Sequence, residues 1–199
     1  MTNDPQELGE HRTTDEFADL ARALRGLSGI GDPTVVAAQD AEHHQVLQDM
    51  KRLAEEQPEG YVEQIRRLAD TVLNSPTARL DVRANVEVLA GVQLAQGETA
   101  EQRSRAIALL TAGLGHALDM PRERRDIDLI VDAGLTLAAL HGRIANSSHD
   151  PDLLGEPAQH ADLARQYIVR VQDLLLTTDD PTRVSYRERI AEVRKVIEG

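Results

Sequence analysis

Aliphatic side chains recur every three or four residues along most of this 199-residue chain. The stretch that follows Gly60 shows the pattern clearly, with Val62, Ile65 and Leu68 spaced three apart and Val72 one turn later. This spacing matches the 3.6 residues of a helical turn, so it places the aliphatic side chains on one face of a helix. Because no segment of useful length alternates apolar and polar residues, the sequence predicts helices and no strands.

Composition supports the same fold class. The chain has no Trp, one Phe and three Tyr, so its core must be packed from Leu, Ile, Val and Ala. Small aliphatic side chains suit closely spaced helices better than a β-sandwich, whose strands favour aromatic residues. We therefore expect an all-α protein, arranged either as an array of helical hairpins or as a helical bundle.

Proline and glycine punctuation divides the chain into about eight antiparallel helices, because Pro starts helices and Gly ends them. We expect a disordered acidic tail over residues 1–13 and a single domain over residues 14–199. The longest internal break is predicted between Asn146 and Pro157. The helix that begins at Pro121 is mostly apolar around its circumference, so we expect it to be central. The predicted helices cover about 14–25, 33–56, 61–73, 76–96, 99–118, 121–145, 158–176 and 181–198.

Charge and cysteine content exclude several classes of function. The net charge is −12, and the first 60 residues hold 13 acidic and 5 basic residues. Such a field repels nucleic acid, and there are few aromatic rings on which bases could stack. The absence of Cys excludes disulfides, thiolate metal sites and Cys nucleophiles. No apolar run is long enough for a membrane span or a signal peptide, so we expect a cytoplasmic protein.

Two helix pairs resemble the tetratricopeptide repeat. In the first pair the family's aromatic position is Gln93, and about four residues are inserted after Gly97. The residues that carry the first resemblance are Val86, Leu89, Ala90, Gly97, Ala106, Ile107 and Leu110. Those that carry the second are Val131, Leu135 and Gly142, followed by Ala161 or Ala164.

The resemblance covers residues 82–175 and has consequences for function. It implies a protein-interaction surface on the first helix of each pair. It also implies a solvating final helix, a role that residues 181–198 could fill. The alternative interpretation of the same residues is ordinary packing within a helical bundle.

Asp40, Glu42, His43 and His44 form the densest group of metal-ligand residue types. A helical di-metal site typically uses Glu-x-x-His pairs, and the chain contains none. Adjacent histidines also point about 100° apart on a helix. We therefore expect no metal and no cofactor, and interpret the two histidines as solvated or half-buried.

Three arginines precede the predicted central helix. Arg122, Arg124 and Arg125 could grip a carboxylate or phosphate of a partner, because guanidinium forms two-pronged contacts with both. Pairing of Arg124 and Arg125 with Asp128 along the helix explains the same residues. Together with Glu87, the three arginines are the candidate partner-binding residues.

Gly113, Gly115 and Gly134 fall inside predicted helices, where a missing side chain allows a neighbouring helix to approach closely. We expect this role at all three positions. Gly26, Gly29 and Gly31 lack the Lys and Ser or Thr that complete a phosphate-binding loop, so we expect them to separate two helices.

No motif in the chain predicts catalysis. The sequence favours a non-catalytic scaffold or adaptor that presents a helical groove to a peptide or partner protein, with self-association as a further option. The alternative is a helical regulatory domain with a small-molecule pocket between its helices. A scaffold should show an open groove across several helices, whereas a ligand domain should show an enclosed pocket.

Overall fold

The computed structural model describes residues 33–97, 99–147, 155–177 and 183–198. These residues form seven α-helices and one 3-10 turn without any strand, which confirms the all-α class. The predicted tail, the predicted first helix and most of the 146–157 loop lie outside the described residues. The helices are α1 (Pro33–Glu56), α2 (Tyr61–Leu73), α3 (Leu80–Leu94), α4 (Ala100–Asp119), α5 (Ile127–Asn146), α6 (Pro157–Leu176) and α7 (Arg183–Glu198).

The chain divides into two units, residues 1–42 and 43–199, with the boundary inside α1. Of the first unit, the structure describes residues 33–42, which are helical. The aliphatic core lies in the second unit and consists of four clusters of buried side chains. None of the described helices is both long and apolar enough to cross a lipid bilayer.

Side-chain caps set the start of two helices. Thr99 accepts a hydrogen bond from the Gln102 amide, and the Gln102 side chain accepts one from the Thr99 amide, so α4 begins with a capping box. The Asp126 side chain accepts a hydrogen bond from the backbone amide of Leu129 and so caps the start of α5. The predicted start of α4 near Thr99 is therefore confirmed.

Two other predicted starts are wrong. Ser75 and Pro76 do not open α3, because the Ser75 hydroxyl bonds the Thr77 hydroxyl at 3.0 Å within a turn, and α3 begins only at Leu80. Pro121 does not open α5 either. The chain first forms a 3-10 turn over Arg122–Arg124, and the stronger cap at Asp126 starts the helix five residues later.

The prediction that the helix after Pro121 is central is confirmed. Helix α5 packs against α3, α4, α6 and α7. Helices α3 and α4 form one closely packed pair, and α5 and α6 form the next. The fully buried side chains Val131, Leu137 and Leu140 lie on α5, so apolar contacts surround much of this helix.

Small residues allow the close approach of paired helices. A Cβ atom on Gly113 of α4 would lie 2.7 Å from the Val88 side chain on α3, and one on Gly134 of α5 would lie 2.5 Å from Val171 on α6. These two predictions are confirmed. The prediction for Gly115 is wrong, because a Cβ atom there would have no neighbour within 4 Å among the residues that the structure describes.

Gln93 occupies the position at which the repeat pattern expects an aromatic residue. Its side chain is buried, and its Oε1 atom has no hydrogen-bond partner among the described residues. A buried amide oxygen without a partner lowers stability.

Candidate functional site

A cleft of about 240 Å³ lies across three helices that alternate along the chain. Its walls come from α3, α5 and α7, and it opens to solvent. We call it the α3–α5–α7 groove. Its lining residues are Val92 from α3, Ala95 and Gln96 from the turn that follows α3, Leu135, Thr136, Ala139 and Arg143 from α5, and Arg189, Glu192 and Val193 from α7.

Helical spacing brings these side chains to one surface. Thr136, Ala139 and Arg143 are separated by three and four residues, so they lie along one stripe of α5. Leu135 is buried beneath this stripe, and Val92 and Val193 are half-buried. The groove therefore combines an aliphatic floor with a polar rim, a pattern typical of peptide-binding surfaces.

Two arginines connect the helices that form the groove. Arg143 donates a hydrogen bond of 2.8 Å from Nη2 to the Ala95 carbonyl at the end of α3. Arg189 on α7 donates to Asp132 on α5 across 2.5 Å. Each guanidinium has five N–H donors, so the contacts within the described residues leave donors for a partner's carboxylate. Both side chains are exposed enough to be reached from solvent.

The candidate residues Arg122 and Arg124 lie in the exposed 3-10 turn that follows α4. Arg124 lines a second open cleft of about 710 Å³ together with Leu80 and Met120. Arg79 and Asp81 line the same cleft and form an ion pair at 2.7 Å. Partner binding by Arg122 and Arg124 stays a prediction.

Arg125 has a structural contact of its own. Its Nε donates to the Met120 carbonyl at 2.9 Å, and its Nη2 donates to the Leu118 carbonyl. These bonds satisfy acceptors at the end of α4, where a helix has unpaired carbonyl groups. The predicted pairing of Arg124 and Arg125 with Asp128 along one helix is wrong in geometry, because both arginines precede the first residue of α5.

Glu87, the fourth candidate, lies on α3 at the contact with α4. Its side chain is 7% exposed, and its Oε2 atom lies 2.6 Å from His116 Nδ1. Arg83 approaches the other carboxylate oxygen at 3.7 Å. The structure thus separates Glu87 from the three arginines and engages its carboxylate within the protein.

We expect Glu87→Gln to lower the free energy of unfolding by about 2 kcal/mol, because the His116 and Arg83 contacts lose their buried charge partner. The half-exposed side chains of His116 and Arg83 can be rehydrated, which limits the loss of stability. Urea denaturation followed by circular dichroism measures the free energy of unfolding. The matched control is Glu188→Gln on the exposed surface of α7, for which we expect no change. Equal stability of the two variants would contradict the structural role of Glu87.

A network of charges occupies the cleft between α2 and α4. The Glu63 carboxylate accepts hydrogen bonds from Arg66 and Arg67, which lower its pKa to about 2. Asp70 accepts a hydrogen bond from Arg105 at 2.5 Å and one from Arg66 at 3.3 Å. The guanidinium groups in this cleft are thus paired with carboxylates of the protein itself.

Two buried histidines meet between α5 and α6. The Nδ1 atoms of His141 and His160 are 2.7 Å apart, and the Tyr167 ring stacks on His141 at a centroid distance of 5.8 Å. Burial, and then the neighbouring His160, lower the pKa of His141 from 6.5 to about 4. Sequence reasoning missed this contact, because the histidines are 19 residues apart on different helices.

Metal-ligand residue types do not converge in the described part of the chain, where no group of three His, Cys, Asp or Glu side chains could hold an ion. His43 is buried, with an Nδ1 atom that has no partner among the described residues, whereas His44 is exposed. The prediction of a solvated or half-buried pair is thus right for His44 and wrong for His43.

No family model matches the chain, and no curated protein or solved structure matches it.

Proposed function

We propose that this protein is a non-catalytic interaction module that binds a peptide segment of a partner protein in the α3–α5–α7 groove. The observation that carries the proposal is the composition of that groove, an aliphatic floor crossed by Arg143 and Arg189. We expect the partner segment to insert a small aliphatic side chain over Leu135 and to place a carboxylate near each arginine. Glu192 on the rim disfavours a more highly acidic peptide.

The size of the groove supports a peptide over a small molecule. Its volume of about 240 Å³ holds one or two side chains. Pockets for drug-sized ligands are usually enclosed and occupy about 300–1,000 Å³. The small volume and open shape of this groove therefore favour an anchor residue of a longer chain over a small molecule at this site.

We also propose that the helix pairs α3/α4 and α5/α6 form an array of the tetratricopeptide type. The support is the packing of α5 against α3, and of α7 against α5, in addition to the contacts within each pair. This order places the first helix of each pair, and the final helix, along one groove. We further propose that the protein is cytoplasmic.

Selection from a phage-displayed library of random peptides tests the function. We expect selected peptides to bind with an affinity that falls about tenfold or more in Ala139→Arg, because the new side chain fills the centre of the groove. Ser104→Arg adds the same charge on the exposed face of α4 and should leave binding unchanged. Thermal melting curves show whether both variants remain folded.

Two further variants test the polar contacts. Arg143→Gln and Arg189→Gln should each lower the affinity for peptides that contain a carboxylate. The affinity for the uncharged analogues of these peptides should not change. Peptides that bind all variants equally would contradict the proposal, and so would failure to enrich any peptide. Concentration-dependent sedimentation that is abolished by Ala139→Arg would instead identify a second copy of this chain as the occupant.

A further inference from the structure

The contact between His141 and His160 joins the two helices of the α5/α6 pair. Both residues are buried, with 4% and 6% of their surface exposed. Their Nδ1 atoms are 2.7 Å apart, which is hydrogen-bond distance. One Nδ1 must therefore carry the hydrogen, and the other must supply a lone pair.

The number of protons on the two rings decides whether this bond can exist. With no added proton, one ring donates through Nδ1–H and the other accepts. One added proton can enter at an Nε2 atom and preserve the bond. When both rings are protonated, each Nδ1 carries a hydrogen, so the acceptor is lost and two positive charges face each other in a buried site.

The surroundings offer little compensation for a charge on His141. Tyr167 of α6 stacks on its ring with an interplanar angle of 8°, and Arg170 lies 5.9 Å from the centre of the Tyr167 ring. Arg143, two residues along α5, is directed to the Ala95 carbonyl of α3. In the described part of the chain, His160 is the neighbour whose positive charge, when its ring is protonated, acts on His141.

We propose that the His141–His160 pair is an acid-operated latch, which holds α5 against α6 until both rings are protonated and then releases them. This role is independent of the peptide-binding proposal. It concerns the contact between α5 and α6, whereas the groove is formed by α3, α5 and α7.

The direction of the pH dependence follows from the pKa of His141. Burial, and then the neighbouring His160, lower it from 6.5 to about 4 in the closed pair. When the ring is released into water, its pKa returns to the ordinary value, so below pH 6.5 the open state binds more protons. The latch is therefore fully closed above pH 6.5 and loses stability as the pH falls towards 4. This difference in the pKa of His141 between the open and closed states changes the closing equilibrium by up to about 300-fold.

Amide hydrogen exchange of the full chain tests the latch. After correction for the intrinsic exchange rate, we expect local opening of residues 137–146 and 159–168 to increase about 20-fold between pH 7 and pH 5. Amides of α2 provide the internal control and should change far less. Equal changes in α2 and in the α5/α6 pair would overturn the proposal, because they would indicate general acid destabilisation.

Substitution of one ring gives the second test. The amide of His141→Gln can still bond His160 but does not titrate in this range, so the selective opening at pH 5 should disappear. His44→Gln, on the exposed face of α1, is the matched control and should open as the unmodified protein does. If the α5/α6 pair of His141→Gln opens at the same pH as that of the unmodified protein, the proposal is overturned.

Nuclear magnetic resonance of the imidazole rings in the unmodified protein provides a measurement that does not depend on variant folding. The latch requires one ring of the pair to titrate well below the ordinary histidine range. Its protonation should coincide with shifts in the amides of both α5 and α6. Titration of both rings near pH 6.5, without such shifts, would overturn the proposal.

Discussion

Truncation of Leu110 to alanine is expected to lower the free energy of unfolding by about 3 kcal/mol. The Leu110 side chain is fully buried on α4, in a cluster that also contains Val88 of α3 and Leu137 of α5. Its removal leaves a cavity where three helices meet. Urea denaturation followed by far-ultraviolet circular dichroism measures the loss. The control is Leu118→Ala on the same helix, where the side chain is 39% exposed and the expected loss is well below 1 kcal/mol.

A double-mutant cycle with Gly91 tests the packing at this position. A Cβ atom on Gly91 would lie 2.6 Å from Leu110 Cγ, so Gly91→Ala alone should cost about 1–3 kcal/mol. In the Leu110→Ala background the added methyl enters space that the leucine has vacated. We expect a favourable coupling of about 1 kcal/mol or more between the two substitutions. Simple additivity of the two losses would contradict the close packing of α3 on α4.

Substitution of two glycines on α4 is expected to have opposite effects. Gly113→Val should cost about 3 kcal/mol, because even its Cβ atom would lie 2.7 Å from the Val88 side chain and 3.1 Å from the Val88 backbone nitrogen. The backbone contact can be relieved only if α3 moves. Gly115→Ala should instead raise stability by about 0.5–1 kcal/mol, because Ala favours the helix and the site is open.

Equilibrium unfolding of these two variants under the same conditions provides the measurement. The positions are two residues apart, so they share the same helix and nearly the same sequence context. Comparable losses at both would contradict the open surroundings of Gly115. A gain at both would show that α4 does not approach α3 closely at Gly113.

The proposed peptide-binding groove and the proposed latch both involve α5. Arg143 contacts α3 at the groove, and His141 contacts α6. Acid release of α6 would leave the arginine contact in place. Peptide binding measured at pH 7 and pH 5 can therefore be compared directly with the opening of the α5/α6 pair.

Local sequence patterns predicted some helix ends better than others. The end of α1 near Glu56 and the start of α4 near Thr99 agree with the predictions, because the breaks and caps that produce them involve neighbouring residues. The starts of α3 and α5 differ, because two plausible caps compete within a few residues. Ser75 bonds within a turn, and Asp126 caps α5 after the 3-10 turn.

The residues of the candidate site were less predictable from the sequence than the helix ends. Glu87 was a candidate for partner binding, but its carboxylate contacts His116, which lies 29 residues away on the next helix. Arg189 was not a candidate, yet it lies on the groove and reaches Asp132 across 57 residues. A stripe of polar residues along a helix does not reveal which neighbouring helix it will meet.

The sequence by itself determined the helical class, the aliphatic composition of the core and the central position of α5, since each depends on periodicity within one segment. Only the tertiary structure decided that His141 meets His160, that Gly113 rather than Gly115 admits a neighbouring helix, and that α3, α5 and α7 share a groove. The physical reason is that these contacts depend on the rotation and spacing of whole helices. Those quantities result from packing across the entire core, and no single segment encodes them.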